Sequence, residues 1–382
     1  MTYATRQCCD ADSHIMETLD WVTRFADPDV RERLPALALG AAGNATHEFI
    51  RKAEARIADA ARTAAIDHDV VGGPKGWGAY GAFDIEERKR ALDDLGFERQ
   101  LVFSTFSGTQ YLSAGDPDIL SGGIRAHNRA MTHFCNQDRR LIAVGQVSLA
   151  DPDRALGEVV EGLRLGVGAF WIPASPAGEV SPGHPELDPI WRTLSDARVP
   201  FVLHIGAGTR TLPKAYEKNG RPRPSDLLGG GENLRVKDYM VLPFAPQMFL
   251  SAMVFDGVFE RFPDLRGGVI ELGAGWVPDF LRRLDLAQRS FRKTDPQVAG
   301  LSLKPSEYIR RQVRFTPFPG EDVGHMIRDA GPELFLFSSD YPHPEGTNDP
   351  IARFERTFEG VGEDARERFY RGNFQDMMGG GA

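Results

Sequence analysis

Residues 199–206 read Val199-Pro200-Phe201-Val202-Leu203-His204-Ile205-Gly206, a short unbroken apolar run that closes on a histidine and a glycine. A strand with one wet face alternates apolar and polar side chains. A run apolar on both faces belongs to a strand covered on both sides, as in a parallel sheet. Seven more runs of this kind flank Pro200–Ile205: Gln7–Ala11, Gln100–Thr105, Leu141–Leu149, Val167–Pro173, Gly267–Leu272, Gln312–Phe318 and Leu334–Ser339. Between them lie segments with helical periodicity, namely Ile85–Leu95, Asp153–Leu165, Pro189–Ala197, Val277–Leu286 and Ala365–Arg371. Asp151-Pro152 and Asp188-Pro189 read as helix starts, a capping carboxylate followed by proline in the first turn. Eight strands alternating with helices predict an α/β chain folded as a (β/α)8 TIM barrel. The barrel is expected to form one domain over residues 1–378, with a disordered Gly-rich tail at 379–382. An open doubly wound sheet is the alternative, but no GxGxxG follows the first strand.

Composition narrows the classes. Of 382 residues, 41% are hydrophobic and 26% charged, which supplies ample apolar material for a large core. The longest apolar runs, such as Leu334–Phe337, fall far short of the ~20 residues of a membrane helix. The polar start, Met1–Asp12, lacks a secretory hydrophobic segment. With 45 basic against 54 acidic residues the net charge is −9, and the basic residues are scattered. That argues against a nucleic-acid or anionic-membrane surface. Cys8, Cys9 and Cys135 form no CxxC and no even framework, so a reduced, cytoplasmic chain is the expectation.

Two connections are too long for simple turns. Leu19–Phe83 follows the first strand and Gly206–Met248 the fifth, both on the face where barrel active sites sit. The first insertion ends in GGPKGWGAYGAFD (Gly72–Asp84), and the second contains Gly229–Gly231. Each reads either as surface decoration or as a lid over the site.

The ends of the strands carry the chemistry. The first gives Asp12 and His14, spaced i, i+2 and therefore on one face. The fifth gives His204, the sixth Glu271, and the eighth Asp340 followed by His343. Imidazoles and carboxylates converging on one barrel mouth suit a divalent metal with a position left open for water or substrate. A lone strand-end histidine or aspartate has structural explanations; four converging on one face are much harder to assign to packing, which favours a metal site. Glu17, His343 and Glu345 are second candidates near the site. Trp77 and Tyr80 are candidates to stack an aromatic substrate, and Arg210 and Lys214 to hold a substrate carboxylate. His47, His68, His127, His133, His184 and His325 have no motif context.

DADSHIME (10–17), HPELDPIWRTL (184–194), VPFVLHIG (199–206), FERFPDLRGGVIELGAGWVPDFLRRLD (259–285) and FSSDYPHPEG (337–346) span most of the chain. In these segments the sequence resembles the amidohydrolase-related family, the branch that includes aminocarboxymuconate-semialdehyde decarboxylase and aromatic-acid decarboxylases. The resemblance implies a barrel holding one divalent ion, often Zn²⁺ or Mn²⁺, and a homodimer or higher homo-oligomer. By position Asp12, His14, His204 and Asp340 match that family's metal ligands.

Three departures matter. Asp12-x-His14 stands where the wider superfamily has HxH. Val167–Pro173 lacks the lysine that bridges two metals, so a mononuclear site is expected. Glu271 stands where many relatives have a histidine, and three roles suit it: acid/base, extra ligand or buried structural carboxylate. With one metal, the leading expectation is hydrolysis, or in reverse cyclodehydration, of an amide, ester or lactone of a small aromatic substrate, with Glu271, Asp340 and His343 as catalytic groups. The alternatives are non-oxidative decarboxylation of an aromatic or unsaturated acid, and a non-catalytic metal- or ligand-binding barrel.

Overall fold

The computed structural model describes residues 2–39, 44–59, 70–222 and 235–380. Seven parallel strands pair strictly in chain order: β1 (Cys8–Ile15), β2 (Phe97–Ser104), β3 (Leu141–Gln146), β4 (Ala169–Trp171), β5 (Phe201–His204), β6 (Gly267–Ile270) and β7 (Val313–Phe315). Alternate residues fill the interior of the curled sheet, among them Ala11, Leu101, Phe103, Val144, Trp171, Val202 and Ile270. The opposite faces, including Val102, Phe170, Leu203 and Phe315, pack outward against helices. Both faces are apolar because both are covered, which is why the strands read as continuous runs.

The eighth expected strand, Leu334–Ser339, occupies its place without forming a regular ladder. Phe315 N–H donates to the Leu334 carbonyl and Leu336 N–H to the Phe315 carbonyl, both at 2.9 Å. On the other side Ala11 N–H donates to Phe337 (3.0 Å) and Asp340 N–H to Asp12 (2.9 Å). The segment thus bridges β7 and β1 and closes the barrel. Two backbone groups are diverted from the ladder: Phe337 N–H goes to the Phe369 carbonyl, and Ser339 N–H goes to the Asp10 carboxylate at 2.8 Å. The same Asp10 side chain accepts from Ser339 Oγ (2.6 Å), Gln100 Nε2 (2.8 Å) and Asp12 N–H (3.2 Å). It sits where β1 slips register between Asp10 and Ser13. This irregularity carries β1 on to Ile15, four residues beyond the expected Gln7–Ala11, and so brings Asp12 and His14 inside the strand.

Ile85–Leu95 forms as expected, with the Asp84 side chain accepting from Glu87 N–H and Gly96 in the left-handed conformation at φ 73°. Asp151 likewise caps Pro152–Leu165. Asp188 is not a cap: helix Asp188–Ala197 already includes it, and its carboxylate pairs with Arg261 at 2.8 Å. Val277–Phe291 runs five residues past the expected Leu286. Ala365–Arg371 is broken instead, passing from Glu363–Glu367 through a wider turn at Arg368–Gly372 into Asn373–Met377. The first insertion, a long connection in the sequence, contains a helix, Asn44–Ile57, and Arg56 from its end ion-pairs with Glu87 at 2.8 Å. His68, Gly229–Gly231 and residues 381–382 lie outside the described residues. Gly380 N–H donates to the Gln375 carbonyl at 2.9 Å. Among the described residues no helix is long and apolar enough to cross a membrane.

Candidate metal centre

Asp12, His14, His204 and Glu271 offer ligand atoms that all lie within 4.8 Å of one another, and His14, Asp340 and His343 form an overlapping group. Asp12 Oδ1 is 3.2 Å from His14 Nε2 and 3.3 Å from His204 Nε2. Glu271 Oε2 is 3.4 Å from His204 Nε2, and Asp340 Oδ1 is 3.5 Å from His14 Nε2. The structure therefore brings together all four expected ligands and adds Glu271 as a fifth donor. It places Glu271 in the tight set and Asp340 one step outward, beside His343 Nδ1 at 2.9 Å.

Each side chain is aimed by its surroundings. His204 Nδ1 lies 2.9 Å from the Ile205 carbonyl, which can only accept, so the proton sits on Nδ1 and the Nε2 lone pair faces the cluster. Phe103 and Trp171 crowd the same imidazole, with ring centroids 4.3 and 4.9 Å away. Glu271 and Asp340 both hold left-handed backbone, at φ 53° and 54°. For a residue other than glycine this costs about 1–3 kcal/mol and is found chiefly where function demands it. Thr316 Oγ1 anchors Glu271 by accepting its N–H at 2.8 Å. His343 stacks on His14 at 3.9 Å, and its Nε2 meets Thr105 Oγ1 at 2.8 Å.

Electrostatics point to a cation. Burial pushes the Asp12 carboxyl up, but the adjacent His14 and His204 imidazoles outweigh it and hold the group below the ordinary carboxylate range. Burial, and then the charge of His343, push the His14 imidazole down, which keeps it neutral and able to ligate. Three carboxylates, Asp12, Glu271 and Asp340, meet the imidazoles of His14, His204 and His343, and neither the ring nitrogens of buried His14 nor Asp340 Oδ1 has an aligned hydrogen bond. Such a donor set is costly to bury unless a metal ion neutralises it, and it fits one divalent ion.

The remaining candidates are spread around this centre. Glu17 does not join it: its buried carboxylate accepts from the N–H groups of Thr105, Phe106 and Ser107 and from Ser107 Oγ, at 2.8–3.2 Å. In that role it shapes the loop that presents Thr105 to His343. Trp77 and Tyr80, expected to stack a substrate, are instead buried in the packing of the insertion. Trp77 lies flat on Phe106 at 5.2 Å and donates Nε1–H to the Glu17 carbonyl at 3.1 Å, while the Tyr80 carbonyl accepts from Tyr341 Oη. Arg210, Lys214 and Glu345 are exposed. Thr105, Phe103 and Trp171 went unnoticed in the sequence; their only signal was position at the ends of β2 and β4.

His127 stands behind the site, its Nδ1 2.9 Å from Ser107 Oγ. Burial pushes its pKa down to about 3. A histidine depressed in the folded state stabilises fully above its unfolded pKa of ~6.5 and loses that stability as pH falls toward 3. Between pH 7.5 and 5.5 the loss from this residue is expected to be about 1.4 kcal/mol. Urea midpoints of the wild type and His127→Asn at both pH values check it: equal pH dependence in the two proteins would refute the assignment.

The fold has known relatives in structure. Amidohydrolase map2389c from Mycobacterium avium subsp. paratuberculosis K-10 superposes with a TM-score of 0.76 at 23% identity, covering 98% of this chain and 100% of that one. 5-Carboxyvanillate decarboxylase LigW from Sphingomonas paucimobilis gives 0.63 at 19%, covering 97% and 98%. A dihydroxybenzoic acid decarboxylase from Polaromonas sp. JS666, with bound manganese and the inhibitor 2-nitroresorcinol, gives 0.61 at 17%, covering 98% and 97%. At these identities the likeness establishes the barrel. The sequence model of the amidohydrolase family matches residues 9–374, nearly the whole chain. This protein is an amidohydrolase-superfamily enzyme and belongs to that family.

Proposed function

We propose that the protein is a mononuclear metal-dependent decarboxylase acting on a small aromatic or unsaturated carboxylic acid. The observation that carries this reading is the place of Glu271. Hydrolysis, the leading expectation from sequence, needs a base free to take a proton from water, and Glu271 was the group expected to serve. Its carboxylate instead lies 3.4 Å from His204 Nε2, within the ligand set. The structural neighbours that are decarboxylases of aromatic acids support the same reading.

Asp12, His14, His204 and Glu271, with Asp340, would hold the ion. A divalent ion there supplies charge neutralisation and a Lewis acid for a substrate carboxylate and a neighbouring oxygen. Three carboxylate donors favour a harder ion such as Mn²⁺ over Zn²⁺. Phe103 and Trp171 pack against the His204 imidazole and keep water from that side of the centre. His343 is held between Asp340 Oδ1 and Thr105 Oγ1, so its ring is fixed for proton delivery. As the carbon–carboxylate bond breaks, its electron pair stays on the carbon and takes the proton from His343, and CO₂ leaves. Three buried, free cysteines suit a reducing compartment such as the cytoplasm.

The Mn²⁺-loaded enzyme, offered hydroxylated aromatic acids, amides and lactones in H₂¹⁸O, is expected to release CO₂ from an acid without ¹⁸O in the organic product. Label in the product with no CO₂ would return the protein to hydrolysis. Stoichiometric metal with turnover of no compound class would favour the non-catalytic barrel.

A further inference from the structure

The end of the barrel opposite the metal centre carries a cleft of about 1090 Å³, between the starts of β1 and β2, the turn before β3 and the C-terminal segment. Four arginines line it, Arg99, Arg139, Arg140 and Arg371, against two acids, Glu98 and Asp138. Both acids are already engaged: Glu98 holds Arg371 at 2.9 Å, and Asp138 holds Arg140 at 2.7 Å. Asp93 and Glu367 back the same two arginines at 2.6 and 3.4 Å. Among the described residues, Arg99 and Arg139 have neither an ion pair nor a side-chain hydrogen bond.

An exposed arginine such as Arg139 is solvated and needs no explanation; Arg99 does. It pairs in register with Cys9, and Leu101 and Phe103, two and four residues further along β2, fill the barrel interior. Arg99 therefore shares the interior face of the strand. Its Nε is buried without a partner, beside an apolar floor of Cys9, Phe374 and Met378. A half-buried guanidinium with no counter-charge is costly. The chain has 54 acidic residues and a net charge of −9, yet none of those acids answers this cation. The neighbouring strand adds the second charge. Gln100 N–H donates to the Arg140 carbonyl at 2.8 Å, which fixes the turn carrying Arg139 beside the start of β2.

We propose that this cleft is a binding site for a small organic dianion with an apolar body, its charge carried by a phosphate monoester or by two carboxylates. Arg99 and Arg139 take the charge, since a planar guanidinium fork matches either head group in two parallel hydrogen bonds. Cys9, Phe374 and Met378 take the apolar body, and the volume suits a ligand of that size. The cleft lies at the face of the barrel that governs stability, away from the strand ends where chemistry is done. A ligand there ties β2, the turn before β3 and the C-terminal segment together. It stabilises the folded chain by mass action and takes no part in the reaction.

Calorimetric titration of the metal-loaded full chain with phenyl phosphate and with isophthalate tests the proposal, beside the double variant Arg99→Gln/Arg139→Gln. At least one probe is expected to bind the wild type, and to bind the double variant about 100-fold more weakly, because two charge-assisted contacts are lost. Metal content and turnover should stay unchanged, since neither arginine belongs to the metal centre. The tighter of the two probes identifies the head group. Arg99→Lys keeps the charge without the fork and should weaken binding by about 10-fold. Circular dichroism establishes that the double variant is folded, and Arg99→Lys alone serves if it is not. A probe that binds wild type and folded variants equally has gone to the metal ion, and that result overturns the proposal. So does the absence of binding by either probe at millimolar concentration.

Discussion

His204→Ala and Asp340→Ala are each expected to reduce the metal content from about one ion per chain to background, and to lower turnover by at least ~10³-fold, about 4 kcal/mol. The His204 imidazole stands between Asp12 Oδ1 and Glu271 Oε2, at 3.3 and 3.4 Å. Removing it deletes a neutral donor and leaves two carboxylates facing each other in a buried site. Asp340 acts differently: it is the link between His14 and His343. Its loss should release the proton-handling imidazole as well as weaken the ion. Elemental analysis after extensive dialysis, set beside melting of the metal-free proteins, separates lost ligation from lost folding. Full metal retention in both variants would sink the assignment of the centre.

Glu271→Gln is expected to weaken the metal by at least 10–100-fold, with turnover partly restored in excess Mn²⁺. Glutamine keeps the size and the anchor from Thr316 but removes the charge. If Glu271 were a base only, turnover would fall by about 10²–10⁴-fold with metal content intact, and added metal would restore nothing. Glu271→Gly supplies an independent check. Glycine tolerates φ 53°, so relief of backbone strain should raise the stability of the metal-free protein by about 1 kcal/mol while binding is lost. A residue that destabilises the fold and holds the ion is retained for the ion. Unchanged or lower apo stability would mean that the left-handed turn carries no strain to release.

Much of this architecture was legible in the chain. The strand runs could be read because each strand is buried on both faces, and their order alone sets a parallel barrel. Asp12, His14, His204 and Asp340 could be read because strand ends at one face of a barrel converge whatever the loops do. Glu271 was visible as a strand-end carboxylate, but its role depends on the direction of its side chain, which a left-handed backbone sets and no periodicity reveals. Trp77 misled for a related reason. A tryptophan in a glycine-rich loop is compatible with stacking a substrate or with packing the loop, and only the position of Phe106 decides.

By itself, then, the sequence determined the barrel, the helices with capping signals, and the four strand-end groups that converge, since all of these follow from local pattern and burial. The tertiary structure alone decided how the barrel closes, which depends on Asp10 reaching Ser339 across 329 positions of sequence. It alone assigned Glu17 to shaping a loop and placed His343 between Asp340 and Thr105. Each of these turns on which distant atoms come within hydrogen-bonding or van der Waals reach, and such short-range contacts between remote segments exist only once the chain has folded.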